Sequence, residues 1–337
     1  MALGAIRKEH LSKLIAAVRQ GGRFFGPVDR GEGVCLAEVS PEDALTLDYA
    51  NFTLPPKRMF FPRSEVIATH GGEGMTATPL PEGTVVLLGV RPCDALALAY
   101  LDKVFLDDKY ADPYYRARRE NAVVISLTCA TPAGTCFCTA IKGSPAGKAG
   151  ADIQAADVGD SLLLESITPA GEAFMAAHAK LLGKPTPAQL KARDEQFAQA
   201  EAKVNAAAVQ VGPDVAAKLA QFDPAAWDAL AQRCLGCGVC TFLCPTCHCF
   251  GLYDEQVGQQ SRRLRAQDAC AFPAFTLEVS GHNPRTRQGM RLRHRMLHKF
   301  RYTAESFGDV FCVGCGRCVG RCPANLDIRE TLAEVSK

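Results

Sequence analysis

Cys234, Cys237, Cys240 and Cys244 precede Pro245, and Cys312, Cys315, Cys318 and Cys322 precede Pro323. The two runs share one spacing. It is the bacterial ferredoxin spacing, which supplies four thiolates to a 4Fe–4S cube, one per iron. Three cysteines with two residues between neighbours let one tight loop wrap three corners. The fourth points away, and proline fixes the chain after it. In two-cluster ferredoxins that fourth thiolate ligates the other cluster. The expected assignment is therefore Cys234, Cys237, Cys240 and Cys322 for one cluster, and Cys312, Cys315, Cys318 and Cys244 for the other. Gly236, Gly238, Gly314 and Gly316 permit backbone twists that a side chain would block, and let amide N–H groups approach sulfur. Zinc needs only two C-x2-C pairs, and two matched triplets with a Cys-Pro each go beyond that need.

Other cysteines carry weaker signals. Cys93 follows the apolar run "TVVLLGV" (84–90), and Cys129 ends "NAVVISLT" (121–128). If these runs are parallel strands, both thiols lie at one carboxyl edge, where α/β sheets build sites. Cys136 and Cys138 follow in the loop "CATPAGTCFC". Four thiols can then converge on a third 4Fe–4S cluster or a four-thiolate zinc site. Unligated core thiols are the remaining reading. Cys247, Cys249 and Cys270 are alternative ligands, thiols lying over a cluster, or small buried hydrophobes. His248 is either packed or hydrogen-bonded near a cluster. His294 and His298 stand one helical turn apart without an adjacent third ligand, which fits an ordinary pair.

The elements that must position these groups fall in two parts. The expected fold class is α+β: a mixed α/β N-terminal domain over 1–215, then an α-helical ferredoxin-type domain over 216–337. "RFFGPV", "GVCLAEV" and "SLLLESI" join the two apolar runs as strands, and "DALALAYLDKVF" between those runs has helical spacing. Strand–helix–strand implies a parallel pair. Residues 171–232 are rich in Ala, Glu, Lys and Gln and favour helices; 171–215 reads as a helical spacer. "FDPAAWDALAQRC" starts a helix, with Asp223 as cap and Pro224 at its first position.

The chain has 337 residues and 47 % apolar content, enough for two domains with real cores, and no run approaches a membrane span. "MALGAIRKEHLSKLIAAVRQGG" is broken by charge and reads as an amphipathic helix, not a signal peptide. A cytoplasmic, reduced protein is expected, with cysteines as metal ligands rather than bridges. Net charge is only +2, so nucleic acid is not expected as a partner. Seven Arg and Lys residues between 282 and 301, with no acid, read as a helix face that is solvated, docked on an acidic partner, or near anionic clusters.

"GVRPCDALAL", "CATPAGTCFC", "WDALAQRCLGCGVCTFLCPTCHCF", "LRHRMLHKFRY" and "CVGCGRCVGRCP" together resemble one iron–sulfur family. It contains an iron–sulfur subunit of anaerobic sulfite reductase, the β subunit of sulfhydrogenase-type NiFe hydrogenases, and iron–sulfur subunits of flavin oxidoreductases tied to heterodisulfide reductase. The resemblance covers most of the chain and is weakest over 140–215. It implies an electron-transfer subunit of a larger cytoplasmic oxidoreductase, rather than the catalytic chain. Its partners would be a flavin-containing NAD(P)H-binding subunit and a terminal reductase, hydrogenase or heterodisulfide reductase subunit. It also favours a cluster over zinc on Cys93, Cys129, Cys136 and Cys138. No G-x-G-x-x-G follows a strand, so the chain itself shows no dinucleotide fingerprint. Two rival functions stand beside the relay: a reductase acting on a small substrate at its own cluster, and an iron–sulfur sensor binding nucleic acid through the basic insert.

Overall fold

The computed structural model describes residues 2–71, 74–207, 211, 214–258 and 260–336. Its chain makes two compact units, each built from separated segments. The first comprises Met1–Pro56, Pro81–Ala208 and Val313–Gly316; the second comprises Lys57–Leu80, Val209–Cys312 and Arg317–Lys337. The strands are β1 Leu3–Arg7, β2 Gly22–Asp29, β3 Val34–Glu38, β4 Ser64–Gly71, β5 Gly74–Ala77, β6 Thr84–Val90, β7 Ala122–Leu127, β8 Ile153–Asp157, β9 Ser161–Ser166, β10 Phe250–Val257 and β11 Gln260–Gln267.

In the first unit seven strands form one mixed sheet, ordered β1-β9-β8-β7-β6-β2-β3. β2, β6, β7 and β8 pair in parallel, while β1, β9 and β3 are antiparallel to their neighbours. Val86, Leu87 and Leu88 of β6 and Val124 and Ile125 of β7 are all buried. Strands buried on both faces carry such unbroken apolar runs. The helix Leu11–Arg19 packs against β2 through a face that buries Leu14, Ile15 and Val18. The helix Pro92–Phe105 lies between β6 and β7 in sequence and packs on β7. The parallel pairing brings the ends of β6 and β7, and hence Cys93 and Cys129, to the same edge, as the two apolar runs predicted.

Arg91 closes that edge. It is 2 % exposed, and its guanidinium donates to the carbonyls of Leu127 (3.2 Å), Thr128 (2.7 Å), Leu47 (3.2 Å) and Tyr49. It also lies over the Tyr49 ring, 3.9 Å from the centroid. Hydrogen bonds from a charged donor contribute more than neutral ones, and buried carbonyls left without a donor are costly. Arg91→Met is expected to destabilise the protein by about 3 kcal/mol or more. Denaturant unfolding checks this, and an unmoved midpoint would contradict it.

The second unit combines a four-stranded antiparallel sheet, ordered β10-β11-β4-β5, with helices. Arg265 of β11 pairs with Glu65 of β4, Nε to Oε1 at 3.0 Å, and both side chains are nearly buried. Gln267 Nε2 donates to the Phe61 carbonyl at 2.9 Å. Residues 57–80 thus fold with the later part of the chain, so the units interleave along the sequence and do not meet at a single boundary such as 215/216. The helix Pro224–Ala231 begins where the sequence predicts, with the Asp223 carboxylate accepting from the Ala225 N–H at 2.9 Å. It packs on the helix Gln288–Leu297, and Trp227, Leu292, Met296 and Leu332 are among the buried residues of this unit.

One expectation needs correction. The Ala-rich helix Pro187–Ala207 is not a bare spacer. It buries Ala200 and Val204 within the first unit, and Gln196 Nε2 donates to the Asp157 carbonyl at 3.1 Å. Alanine leaves so little relief that a packed face looks like a solvated one. The stretch between the cysteine runs also carries the β10–β11 hairpin beside its helices. Among the described residues no helix is long and apolar enough to cross a membrane.

Candidate iron–sulfur centres

In the second unit, Cys234, Cys237, Cys240 and Cys322 line one cavity of about 50 Å³, and Cys318 borders it too. The last cysteine of one run therefore meets the first three of the other, the arrangement that the exchanged pairing calls for. Leu235, Val239, Leu292 and Ile328 supply apolar wall, and among the described residues no carboxylate lines the cavity. Gly236 and Gly238 adopt φ of +65° and +73°, and Gly314 and Gly316 +58° and +74°, so all four turns use the left-handed region. Donors point at the sulfurs. Gln288 Nε2 donates to Cys234 Sγ at 3.0 Å, and the Leu326 N–H to Cys322 Sγ at 3.3 Å. Arg291 Nη2 donates to Gln288 Oε1 at 2.5 Å and orients that amide. Thiols, apolar walls and N–H donors form a donor set suited to an iron–sulfur cube.

Cys244 and Cys312 are buried in the same unit. Lys299 Nζ lies 3.1 Å from Cys244 Sγ and also donates to Thr246 Oγ1 (3.0 Å) and the Phe311 carbonyl (2.6 Å). Cys315 belongs to the Val313–Gly316 segment of the first unit.

There, Cys93, Cys129, Cys136 and Cys138 line a cavity of about 20 Å³ together with Cys315. Asn51 Nδ2 donates to the Cys315 carbonyl at 2.7 Å, and its Oδ1 lies 3.7 Å from Cys93 Sγ. The Phe137 N–H donates to the Gly314 carbonyl at 2.8 Å. Burial pushes the Cys138 thiol up to about 12, and repulsion from Cys136 and Cys129 adds to this. Burial also raises Cys129, against the pull of Arg91. Such thiols stay protonated until a metal charge offsets the cost, so metal binding here would release protons. Among the described residues no three His, Cys, Asp or Glu side chains converge closely enough for a single ion. A cube spaces its four thiolates more widely than one ion does, and the donor set remains compatible with it.

Comparison with known proteins matches residues 233–326 to a 4Fe-4S dicluster domain. The sulfhydrogenase 2 subunit beta of Pyrococcus furiosus is 33 % identical over 336 residues, covering 98 % of this chain and 97 % of that protein. The chain belongs to the sulfhydrogenase β-subunit family of iron–sulfur proteins.

In this family member the basic insert turns inward. Arg291, Arg295 and Lys299 follow one helix face through Gln288–Leu297 into the turn His298–Tyr302, and all three are buried. Arg295 Nη2 donates to the Cys240 carbonyl at 3.4 Å. Burial opposes its charge, but the neighbouring sulfurs of Cys240, Cys318, Cys247 and Cys244 hold it above the usual guanidinium range. Lys299 behaves alike: burial acts downward, and Cys244, Cys247 and Cys312 carry it above the usual lysine range. Of the three readings of this stretch, proximity to anionic sulfur fits the buried face. Lys57 had no signal in the sequence. It is 2 % exposed, donates to the Cys247 carbonyl at 2.6 Å, and is pulled below the usual lysine range by burial.

Cys247, Cys249 and Cys270 line a cavity of about 20 Å³ together with Arg295, His298 and Lys299. His248, His294 and His298 pack together, with centroids 5.5 Å (248–298) and 5.8 Å (294–298) apart. Burial lowers all three, His294 and His298 to about 4, so they remain neutral at physiological pH.

Proposed function

We propose that this chain is an electron-transfer subunit of a cytoplasmic oxidoreductase complex, carrying three 4Fe–4S clusters. Cys234, Cys237, Cys240 and Cys322 hold one. Cys312, Cys315, Cys318 and Cys244 hold the second, and Cys93, Cys129, Cys136 and Cys138 the third. The observation that carries the reading is the meeting of Cys322 with the first three cysteines of the other run around one carboxylate-free cavity. When bound, each cluster supplies a one-electron redox group. The chain's own residues orient the sulfurs through Gln288 and Leu326 and exclude water with Leu292 and Ile328. Low-dielectric packing of that kind tunes the potential and limits side reactions.

The partners are a flavin-containing NAD(P)H-binding subunit on one side and a terminal oxidoreductase subunit on the other. The Pyrococcus relative is named as a subunit of a sulfhydrogenase, which supports a hydrogenase-type terminal partner.

Cys237 is exposed and tests the relay without disturbing the core. In the complex isolated with its native partners, Cys237→Ser is expected to lower electron flow from NAD(P)H to the terminal subunit by about 100-fold or more. Assembly, read by co-purification, should persist. Unchanged flow would overturn the relay, and turnover of a small substrate by the lone chain would favour a reductase instead.

A further inference from the structure

We propose that Lys299 is a potential-setting residue: its buried ammonium selectively raises the reduction potential of the cluster anchored by Cys244. The inference rests on the cluster assignment proposed above.

Lys299 is 4 % exposed, and its three contacts are the Cys244 sulfur, the Thr246 hydroxyl and the Phe311 carbonyl. None is a carboxylate, and no ion pair to Lys299 occurs among the described residues. A buried ammonium without a carboxylate is tolerated only where other negative charge compensates it. Cys244 Sγ, at 3.1 Å, is the one contact able to carry that charge. Thr246 ties the arrangement together: its hydroxyl lies 3.1 Å from Cys244 Sγ and donates to the Phe311 carbonyl at 2.6 Å. The ammonium is thus held at a fixed place beside a ligand sulfur and away from water.

The sulfurs assigned to the other cluster of the second unit are treated differently. Cys234 receives a neutral amide from Gln288, and Cys322 a backbone N–H. Reduction adds one negative charge to a cluster. A fixed cation at contact distance stabilises that charge far more than a neutral dipole does, and low-dielectric surroundings enlarge the difference. Arg295 stands between the two sites, donating to the Cys240 carbonyl with no carboxylate contact among the described residues. Its charge acts on both, so it does not distinguish them. Lys299 touches only one.

The test is a redox titration of the anaerobically purified full chain, followed by electron paramagnetic resonance, with iron and acid-labile sulfide counted on each variant. Lys299→Gln removes the charge and keeps a donor; Lys299→Arg keeps the charge. In Lys299→Gln one cluster should titrate at a lower potential while the others hold, and Lys299→Arg should restore most of the shift. Midpoints unmoved at full iron content, or all shifted alike, would overturn the proposal. If Lys299→Gln loses iron, Thr246→Val provides the second variant. It frees the ammonium from its hydroxyl partner, so the same cluster alone should move, and an unmoved midpoint again overturns the proposal. Cys244→Ser separates this failure from that of the assignment. Full iron content in Cys244→Ser removes the assignment, whereas lost iron there with an unmoved midpoint in Lys299→Gln removes the potential-setting role alone.

Discussion

Gly314→Ala is expected to lower the thermal unfolding midpoint by more than left-handed backbone strain alone would. Gly314 has φ of +58°, and an added Cβ would stand 2.5 Å from the Phe137 carbonyl carbon and the Cys138 nitrogen. Left-handed strain in a non-glycine residue costs about 1–3 kcal/mol, and overpacking costs about as much again. Backbone is the obstacle here, so no rotamer change gives relief. The Phe137 N–H to Gly314 carbonyl bond at 2.8 Å would also have to stretch. Gly31→Ala is the control: its φ is +81°, but nothing lies within 4 Å of the added carbon, so it carries backbone strain alone. Equal unfolding midpoints for the two variants would refute the close approach of Gly314 to the 137–138 loop.

Cys138→Ala should remove one whole cluster. Iron in the anaerobically purified chain is expected to fall from about twelve to about eight per molecule, with acid-labile sulfide falling in step. Cys138 is buried and shares its cavity with Cys93, Cys129 and Cys136, so the three remaining thiols have no nearby substitute of equal reach except Cys315. If Cys315 were captured instead, the second cluster would lose a ligand in place of the third, and iron would again stand at about eight. A wild-type chain holding about eight irons and one zinc, with Cys138→Ala releasing the zinc, would identify a four-thiolate zinc site in place of the third cluster.

Much of the chemistry was legible because metal ligation writes itself into spacing. The two ferredoxin runs and their glycines specify loops almost without tertiary help. Cys93 and Cys129 were placed at one edge because each closes an unbroken apolar run, and such runs pair in parallel. What escaped the sequence shares a different property. β10 is exposed over most of its length and β11 is half-buried almost throughout, so the hairpin lacks the inward–outward alternation that marks a strand; Asp254 opposite Arg263 is its clearest signal. Arg91 and Lys57 are isolated basic residues in ordinary contexts, and their roles arise from partners tens of residues away or more. In the basic insert, the period of Arg291, Arg295 and Lys299 defines a face, but only the fold shows that the face looks onto thiols.

The interleaving of the chain bears on how such a protein can be reused. β11, the inner strand of the second unit's hairpin, has β4 as its other neighbour, and β4 is donated by residues written some two hundred positions earlier. A cassette cut from 216 onward would carry all eight ferredoxin-run cysteines. It would leave Arg265 buried without Glu65, Cys247 without Lys57, and one flank of β11 bare to other molecules. The cluster-bearing region is therefore not a portable module. A gene fusion or shuffling event that lifts the dicluster region out must carry β4 along with it.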